Sequence, residues 1–139
     1  ILAKQEVLSK GYNEALLLNK EGNVSEGPGE NIFIIKDGVF KTPSPDQSLL
    51  NGITAQSVAK IAKDLGFTVS YTTLKLDDVL SADEVFFTGT AAEITPIVEL
   101  DDQLINDGSP GLTTKRIQDL YFNIVKGKQD SYKHWLTYV

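Results

Sequence analysis

The sequence has 139 residues, 41% hydrophobic and 23% charged, which suits one soluble domain with a core of its own. Its net charge of −6 argues against a nucleic-acid partner, because such a partner needs a basic face, and it offers no polybasic patch for a membrane surface. It has no cysteine and one histidine, His134. These counts exclude disulfides and thiolate metal sites and disfavour a Ser-His-Asp triad.

The first residues, ILAKQEVL, resemble the middle of a helix that ends at Lys10 and Gly11. Since they also lack methionine, we expect the sequence to be a piece of a longer protein. EALLLN at 14–19 predicts a buried strand, and KEGN at 20–23 predicts a turn. NIFIIK at 31–36 is apolar without alternation, which predicts a strand covered on both faces.

Asp37-Gly38 is a hairpin signal, so residues 39–42 should return as a strand before a loop at 43–47. The next segment predicts a helix that Thr54 caps and Gly66 ends. Its inward face has helical spacing and consists of Val58, Ile61, Ala62 and Leu65.

Residues 67–72 alternate as a strand, and LDDVLSA at 76–82 predicts a short helix. DEVFFTG at 83–89 and EITPIVEL at 93–100 predict two further strands, the second of them turned by Asp101-Asp102.

A last helix is predicted after Ser109 as N-cap and Pro110 in the first turn, and it should end near Lys126 at Gly127. Its inward residues are Ile117, Leu120, Tyr121 and Ile124. Strands mixed with at least two long helices indicate an α+β domain.

Three loops could carry chemistry. Residues 25–31, SEGPGEN, bring a carboxylate and flexible backbone to the mouth of a strand. Residues 50–54, LNGIT, lead a glycine turn into a helix N-terminus, which suits an anion. Residues 88–92, TGTAA, offer two hydroxyls and small side chains. Each piece alone could be a plain turn, but the set suits a phosphorylated cofactor whose ring nitrogen needs a carboxylate.

The chain resembles the C-terminal large domain of the class IV, fold-type IV pyridoxal-phosphate aminotransferases, most closely the branched-chain amino acid aminotransferases. The matching segments are GYNEALLL (11–18), SEGPGENIFIIKDG (25–38), LLNGIT (49–54), ADEVFFTGTAAEITPI (82–97), GLTTKRIQ (111–118) and HWLTYV (134–139). The resemblance covers essentially residues 1–139. It implies the α+β fold of the D-amino acid aminotransferase-like enzymes, with mixed strands wrapped by helices, and pyridoxal 5′-phosphate as cofactor.

The resemblance also implies roles around the cofactor ring. Glu26 corresponds to the family's partner for the pyridine nitrogen, which keeps the ring protonated and able to draw electrons from the substrate. Leu50 corresponds to the residue packed against the ring, and Gly29 would allow close approach beside it.

For the phosphate, the resemblance implies a cup at the helix start formed by Gly52, Ile53 and Thr54. Thr90 corresponds to a second phosphate ligand, and the backbone amides of Thr90 and Ala91 correspond to those that meet the substrate carboxylate. No metal is implied.

The family's catalytic lysine, which forms the Schiff base with the cofactor, lies upstream of the segment matching ILAKQEVLSKGY, and so before Ile1. Lys4 and Lys10 are interpreted as solvated helix lysines, and His134 with Trp135 as packing. The family's small N-terminal domain is also expected to be absent. The fragment itself should therefore be catalytically inactive.

The family reaction moves an amino group from leucine, isoleucine or valine to 2-oxoglutarate in a ping-pong exchange. The implied partners are a small amino acid and a 2-oxo acid in a cytoplasmic homodimer or higher homo-oligomer. Within the family, a D-amino acid aminotransferase or an aminodeoxychorismate lyase remains an alternative. A non-catalytic domain that binds an anion or supports an assembly is the alternative from another class.

Overall fold

The structure, a computed structural model, describes residues 16–26, 30–44, 52–89 and 93–127. The strands within these ranges are β1 (Leu17–Leu18), β2 (Val24–Glu26), β3 (Asn31–Lys36), β4 (Val39–Pro43), β5 (Thr68–Thr72), β6 (Glu84–Gly89), β7 (Glu93–Ile97), β8 (Glu99–Leu100) and β9 (Gln103–Leu104). The helices are α1 (Ile53–Asp64), α2 (Leu76–Leu80) and α3 (Leu112–Val125). This mixture confirms the predicted α+β class.

Five strands form one sheet in the order β5-β4-β3-β6-β7. The β4–β5 pair is parallel, with α1 in the connection between the two strands, and the other neighbours are antiparallel. The strands β1 and β2 form a separate ribbon, which contacts the rest through a bridge between Val24 and Leu74.

The strand β3 is buried on both faces, as its apolar run predicted. On one face Phe33 stacks on Phe86 of β6 with ring centroids 5.2 Å apart, in a core shared with α1 and α3. On the other face Ile32 and Ile34 pack in a second core with Val79 of α2. Both cores depend on the register of this strand, because a slip of one residue would exchange its faces.

The predicted β3–β4 hairpin is confirmed. Asp37 and Gly38 have φ of 51° and 76°, which is the left-handed pair that a two-residue hairpin turn requires. The turn at Glu21 and Gly22 is also confirmed, with φ of 80° at Gly22.

Two strand predictions need correction. The expected buried strand at 14–19 is described only from residue 16, and β1 covers two residues, of which Leu18 is 51% exposed. It is exposed because β1 pairs with β2 alone, outside the large sheet. The expected strand at 93–100 is split into β7 and β8. The latter pairs with β9 across the predicted Asp101-Asp102 turn.

Both N-cap predictions are wrong, because each of the two long helices begins at a glycine and not at the predicted hydroxyl residue. The N-cap of α1 is Gly52, so Thr54 lies inside the first turn, where it is buried. The N-cap of α3 is Gly111, which follows Ser109 and Pro110 without using either as a cap. The predicted inward faces of both helices are confirmed, as are the C-terminal glycines, Gly66 with φ of 92° and Gly127 with φ of 74°.

In the described part of the chain, no helix is long and apolar enough to cross a membrane.

Candidate functional site

The segments with predicted ligand-binding roles all join the described residues at one end of the five-stranded sheet. The first residue of β3, Asn31, pairs with Thr88 near the end of β6, and Gly89 pairs with Glu93 across the β6–β7 loop. Because β4 runs antiparallel to β3, it also finishes at this end, before the connection to α1. The topology therefore brings the entry to β3, the start of α1 and the β6–β7 loop to the same edge.

The start of α1 lies directly against this edge. A Cβ atom added to Gly52 would be 2.7 Å from Oδ1 of Asn31, so the helix start lies close to this side chain, and a larger residue at 52 would displace it. Among the described residues no side chain caps the helix, and its first turn contains no acidic residue. The first intrahelical bond runs from the amide of Gln56 to the carbonyl of Gly52, so the preceding amides of the turn have no intrahelical acceptor. Such an end attracts an anion.

The start of α3 is different because a carboxylate from the protein itself occupies it. Glu84, at the beginning of β6, accepts hydrogen bonds from the amides of Thr113 (3.3 Å) and Thr114 (2.6 Å). A Cβ atom at Gly111 would collide with the same carboxyl group. The start of α3 is thus filled by a protein carboxylate, whereas no such group caps the start of α1 among the described residues.

Two polar residues near the start of α1 were not assigned a binding role from the sequence. Asn31 and Thr88 face each other across β3 and β6, and both are buried. The hydroxyl of Thr88 has no hydrogen-bond partner among the described residues. The signal for Asn31 was weak, a polar residue opening an apolar run. Thr88 was noted only as one of the hydroxyls in the 88–92 segment.

The connection between β6 and β7 is short. It spans three residues between Gly89 and Glu93, and Glu93 has φ of 54°, an uncommon value for a residue other than glycine. This loop carries Thr90 and Ala91, which lie outside the described residues. Their assignment to phosphate and substrate stays a prediction.

The remaining predicted site residues are placed as follows. Glu26 is the last residue of β2, and its backbone pairs with Leu17. Ile53 is 82% exposed, so a contribution to an anion site would come from its backbone amide. Gly29 and Leu50 lie outside the described residues, as do Lys4, Lys10, His134 and Trp135. Within the described ranges, no group of three acidic or histidine side chains could hold a metal ion.

Comparison with known proteins identifies the family. The profile of the amino-transferase class IV family matches residues 1–100. A probable branched-chain-amino-acid aminotransferase of Aquifex aeolicus is 51% identical over 137 residues, which are 98% of this chain and 44% of that relative. The branched-chain-amino-acid aminotransferase of Pseudomonas aeruginosa is 48% identical over 139 residues, which are 100% of this chain and 45% of that relative.

Solved structures of branched-chain aminotransferases are also similar to this chain. The branched-chain aminotransferase from Thermoproteus uzoniensis, solved with norvaline, has a TM-score of 0.93 and 45% identity, over 98% of this chain and 45% of that one. The Thermobaculum terrenum branched-chain amino acid aminotransferase in its PLP form has a TM-score of 0.94 and 38% identity, over 98% of this chain and 45% of that one.

This chain belongs to the class IV aminotransferase family. It has the fold of those enzymes over the part that it covers. The chain spans less than half the length of the relatives that it matches.

Proposed function

We propose that this chain is the C-terminal large domain of a pyridoxal 5′-phosphate-dependent aminotransferase that acts on branched-chain amino acids. The observation that carries the proposal is the start of α1, which within the described residues has no acid in its first turn, no side-chain cap and a glycine pressed against Asn31. The relatives named above support the substrate class, since they are described as branched-chain enzymes.

The residues at the sheet edge fit a phosphorylated cofactor. Helix-start amides suit phosphate oxygens, and a first turn without an acid avoids repulsion of a dianion. A glycine N-cap lets the ligand approach the backbone closely. The buried hydroxyl of Thr88, at the same edge, has no hydrogen-bond partner within the part of the chain that the structure describes. This donor set matches a phosphate group better than it matches a metal ion.

Each residue then has a defined task. The amides of Ile53 and Thr54 would hold the phosphate, with the side chain of Thr90 as a further donor. The carboxylate of Glu26 would hold a proton on the ring nitrogen. The bound cofactor supplies an electron sink for the substrate α-carbon. The amides of Thr90 and Ala91 would orient the substrate carboxylate.

The lysine that bonds to the cofactor and moves the proton at the substrate α-carbon lies, in this proposal, upstream of Ile1. The 139-residue chain is then inactive alone. The complete protein takes an amino acid and a 2-oxo acid, with leucine, isoleucine or valine as amino donors and 2-oxoglutarate as acceptor. It works as a homodimer or higher homo-oligomer in the cytoplasm.

The experiment that tests this is an intact-mass measurement after pyridoxal phosphate is added and reduced with borohydride. The 139-residue chain and the full-length protein are compared side by side. We expect one adduct on the full-length protein and no stoichiometric adduct on the chain. Amino transfer from leucine, isoleucine, valine and D-alanine to 2-oxoglutarate is then measured for the full-length protein, and we expect activity with the first three.

Other results have definite meanings. A stoichiometric adduct at one lysine of the 139-residue chain would contradict the upstream position of the catalytic lysine. Transfer from D-alanine alone would favour the D-amino acid enzymes of the family. Failure of both proteins to take up the cofactor would favour a non-catalytic domain.

A further inference from the structure

Thr88 lies on the face of the sheet that α1 covers. Side chains alternate along a strand, so Thr88 shares a face with Phe86, which packs in the core beneath α1 and α3. By the same rule Asn31 shares that face with Phe33. Cross-strand partners have neighbouring side chains, and Asn31 contacts Gly52 at the helix start. The hydroxyl of Thr88 is therefore one side chain away from the open end of α1.

The lack of a partner at Thr88 needs an explanation. The residue is 0% exposed, and its Oγ1 atom makes no hydrogen bond within the described part of the chain. A buried hydroxyl without a partner is unfavourable and uncommon in native proteins. Thr42, on strand β4 of the same sheet, shows the usual solution, because its hydroxyl donates to the carbonyl of Ile32 at 2.7 Å.

We propose that Thr88 is a further binding residue of the anion site at the start of α1. Its hydroxyl contacts the phosphate group held there, directly or through one ordered water. This inference rests on the proposed function and deepens it. It adds a donor from the end of β6 to those of the helix start.

The test compares valine variants of three buried threonines in the full-length protein. Thr88→Val removes the proposed contact. Thr42→Val removes a hydroxyl that is already paired inside the protein. Thr114→Val removes the other unpartnered buried hydroxyl of the described residues, at the start of α3, which Glu84 already fills. The dissociation constants of pyridoxal phosphate and pyridoxal are measured, together with the thermal midpoint of the ligand-free protein.

For Thr88→Val we expect pyridoxal phosphate to bind about tenfold more weakly, as for the loss of a hydrogen bond to a charged group. Binding of pyridoxal should stay within about twofold, since it lacks the phosphate, and the ligand-free midpoint should not fall. Thr42→Val should lower the midpoint and leave the ratio of the two constants unchanged. Thr114→Val should leave the ratio unchanged and should not lower the midpoint.

The inference is overturned if Thr88→Val keeps the wild-type ratio, or if it loses ligand-free stability as Thr42→Val does. A wild-type protein that does not prefer pyridoxal phosphate to pyridoxal would overturn the proposed function as well. The two failures are thus distinguishable, because the wild-type ratio reports on the site and the variant reports on Thr88.

Discussion

At the scale of single residues, the start of α3 depends on the fit between Glu84 and Gly111. The carboxylate is held by two helix amides, and it occupies the space that a side chain at 111 would need. A negative group at a helix N-terminus also interacts favourably with the helix dipole. The pair attaches α3 to β6, and hence to the aromatic core beneath the helix.

Gly111→Ala should therefore lower the free energy of unfolding by about 2 kcal/mol, because the methyl group displaces the capping carboxylate. The measurement is urea denaturation. In the double variant Glu84→Ala/Gly111→Ala the collision is absent, so its loss should be smaller than the sum of the single losses. Strict additivity would show that the two residues do not interact.

Glu26 offers a residue-scale test of the cofactor assignment. Glu26→Ala in the full-length protein should leave folding largely intact and reduce transamination by orders of magnitude, because the proton on the ring nitrogen loses its partner. Steady-state rates with leucine measure this. Glu21→Ala, a change at an exposed turn of the same ribbon, is the matched control and should be silent. Undiminished activity in Glu26→Ala would contradict the assignment.

At the scale of elements, the β3–β4 hairpin shows how a local rule sets a central pairing. The turn places Lys36 opposite Val39, and this register carries Ile35 and Phe40 into the same core. Gly38 has φ of 76° and open space around its absent Cβ. A substitution there is therefore costly only through its backbone conformation.

Gly38→Ala should lower the free energy of unfolding by about 1 kcal/mol, since an L-residue resists the left-handed region. Gly38→Asn should cost less, because asparagine adopts that region more readily. Thermal or urea unfolding of both variants gives the comparison. Equal losses for the two would show that the left-handed backbone angle at residue 38 does not determine the effect.

What could be predicted from the sequence was the local part. The apolar run of β3 and the Asp37-Gly38 turn are determined by residues that are adjacent in the sequence, so both were predicted correctly. The helix starts were not, because capping rules look for a nearby hydroxyl. The group that fills the start of α3 comes from Glu84, 30 residues from Thr114 along the chain.

The candidate site likewise has one part that could be predicted from the sequence and one that could not. A glycine turn leading into a helix is visible in LNGIT, so the α1 start could be proposed from the sequence. That Asn31 contacts Gly52 and faces Thr88 depends on the β3–β6 register and on the packing of α1. Pairing between strands so far apart has no local sequence signal.

At the scale of the whole molecule, the surface charge decides how the chain behaves in solution. The net charge is −6 at pH 7, and it reaches zero near the pI of about 4.7. Proteins without net charge associate more readily, since nothing keeps the molecules apart. Acidification towards pH 4.7 should therefore bring the molecules together.

We expect a solubility minimum near pH 4.7, measured as turbidity across a pH series. Lys20→Glu should move the minimum to lower pH and Glu21→Lys to higher pH. The two positions are adjacent and exposed on one turn, so the variants differ in the sign of the charge change and little else. If the pH of the solubility minimum is the same in both variants, exposed apolar surface rather than charge controls association.

The parallel pairing of β4 with β5 has a consequence for the order of assembly. The β3–β4 hairpin closes over two residues and can form early, whereas β4 and β5 meet only after α1 has crossed between them. Substitutions in the hairpin should then mainly slow folding, and substitutions at the β4–β5 contact should mainly speed unfolding. Because α1 lies in this connection, a ligand bound at its start would act on the later stage of folding.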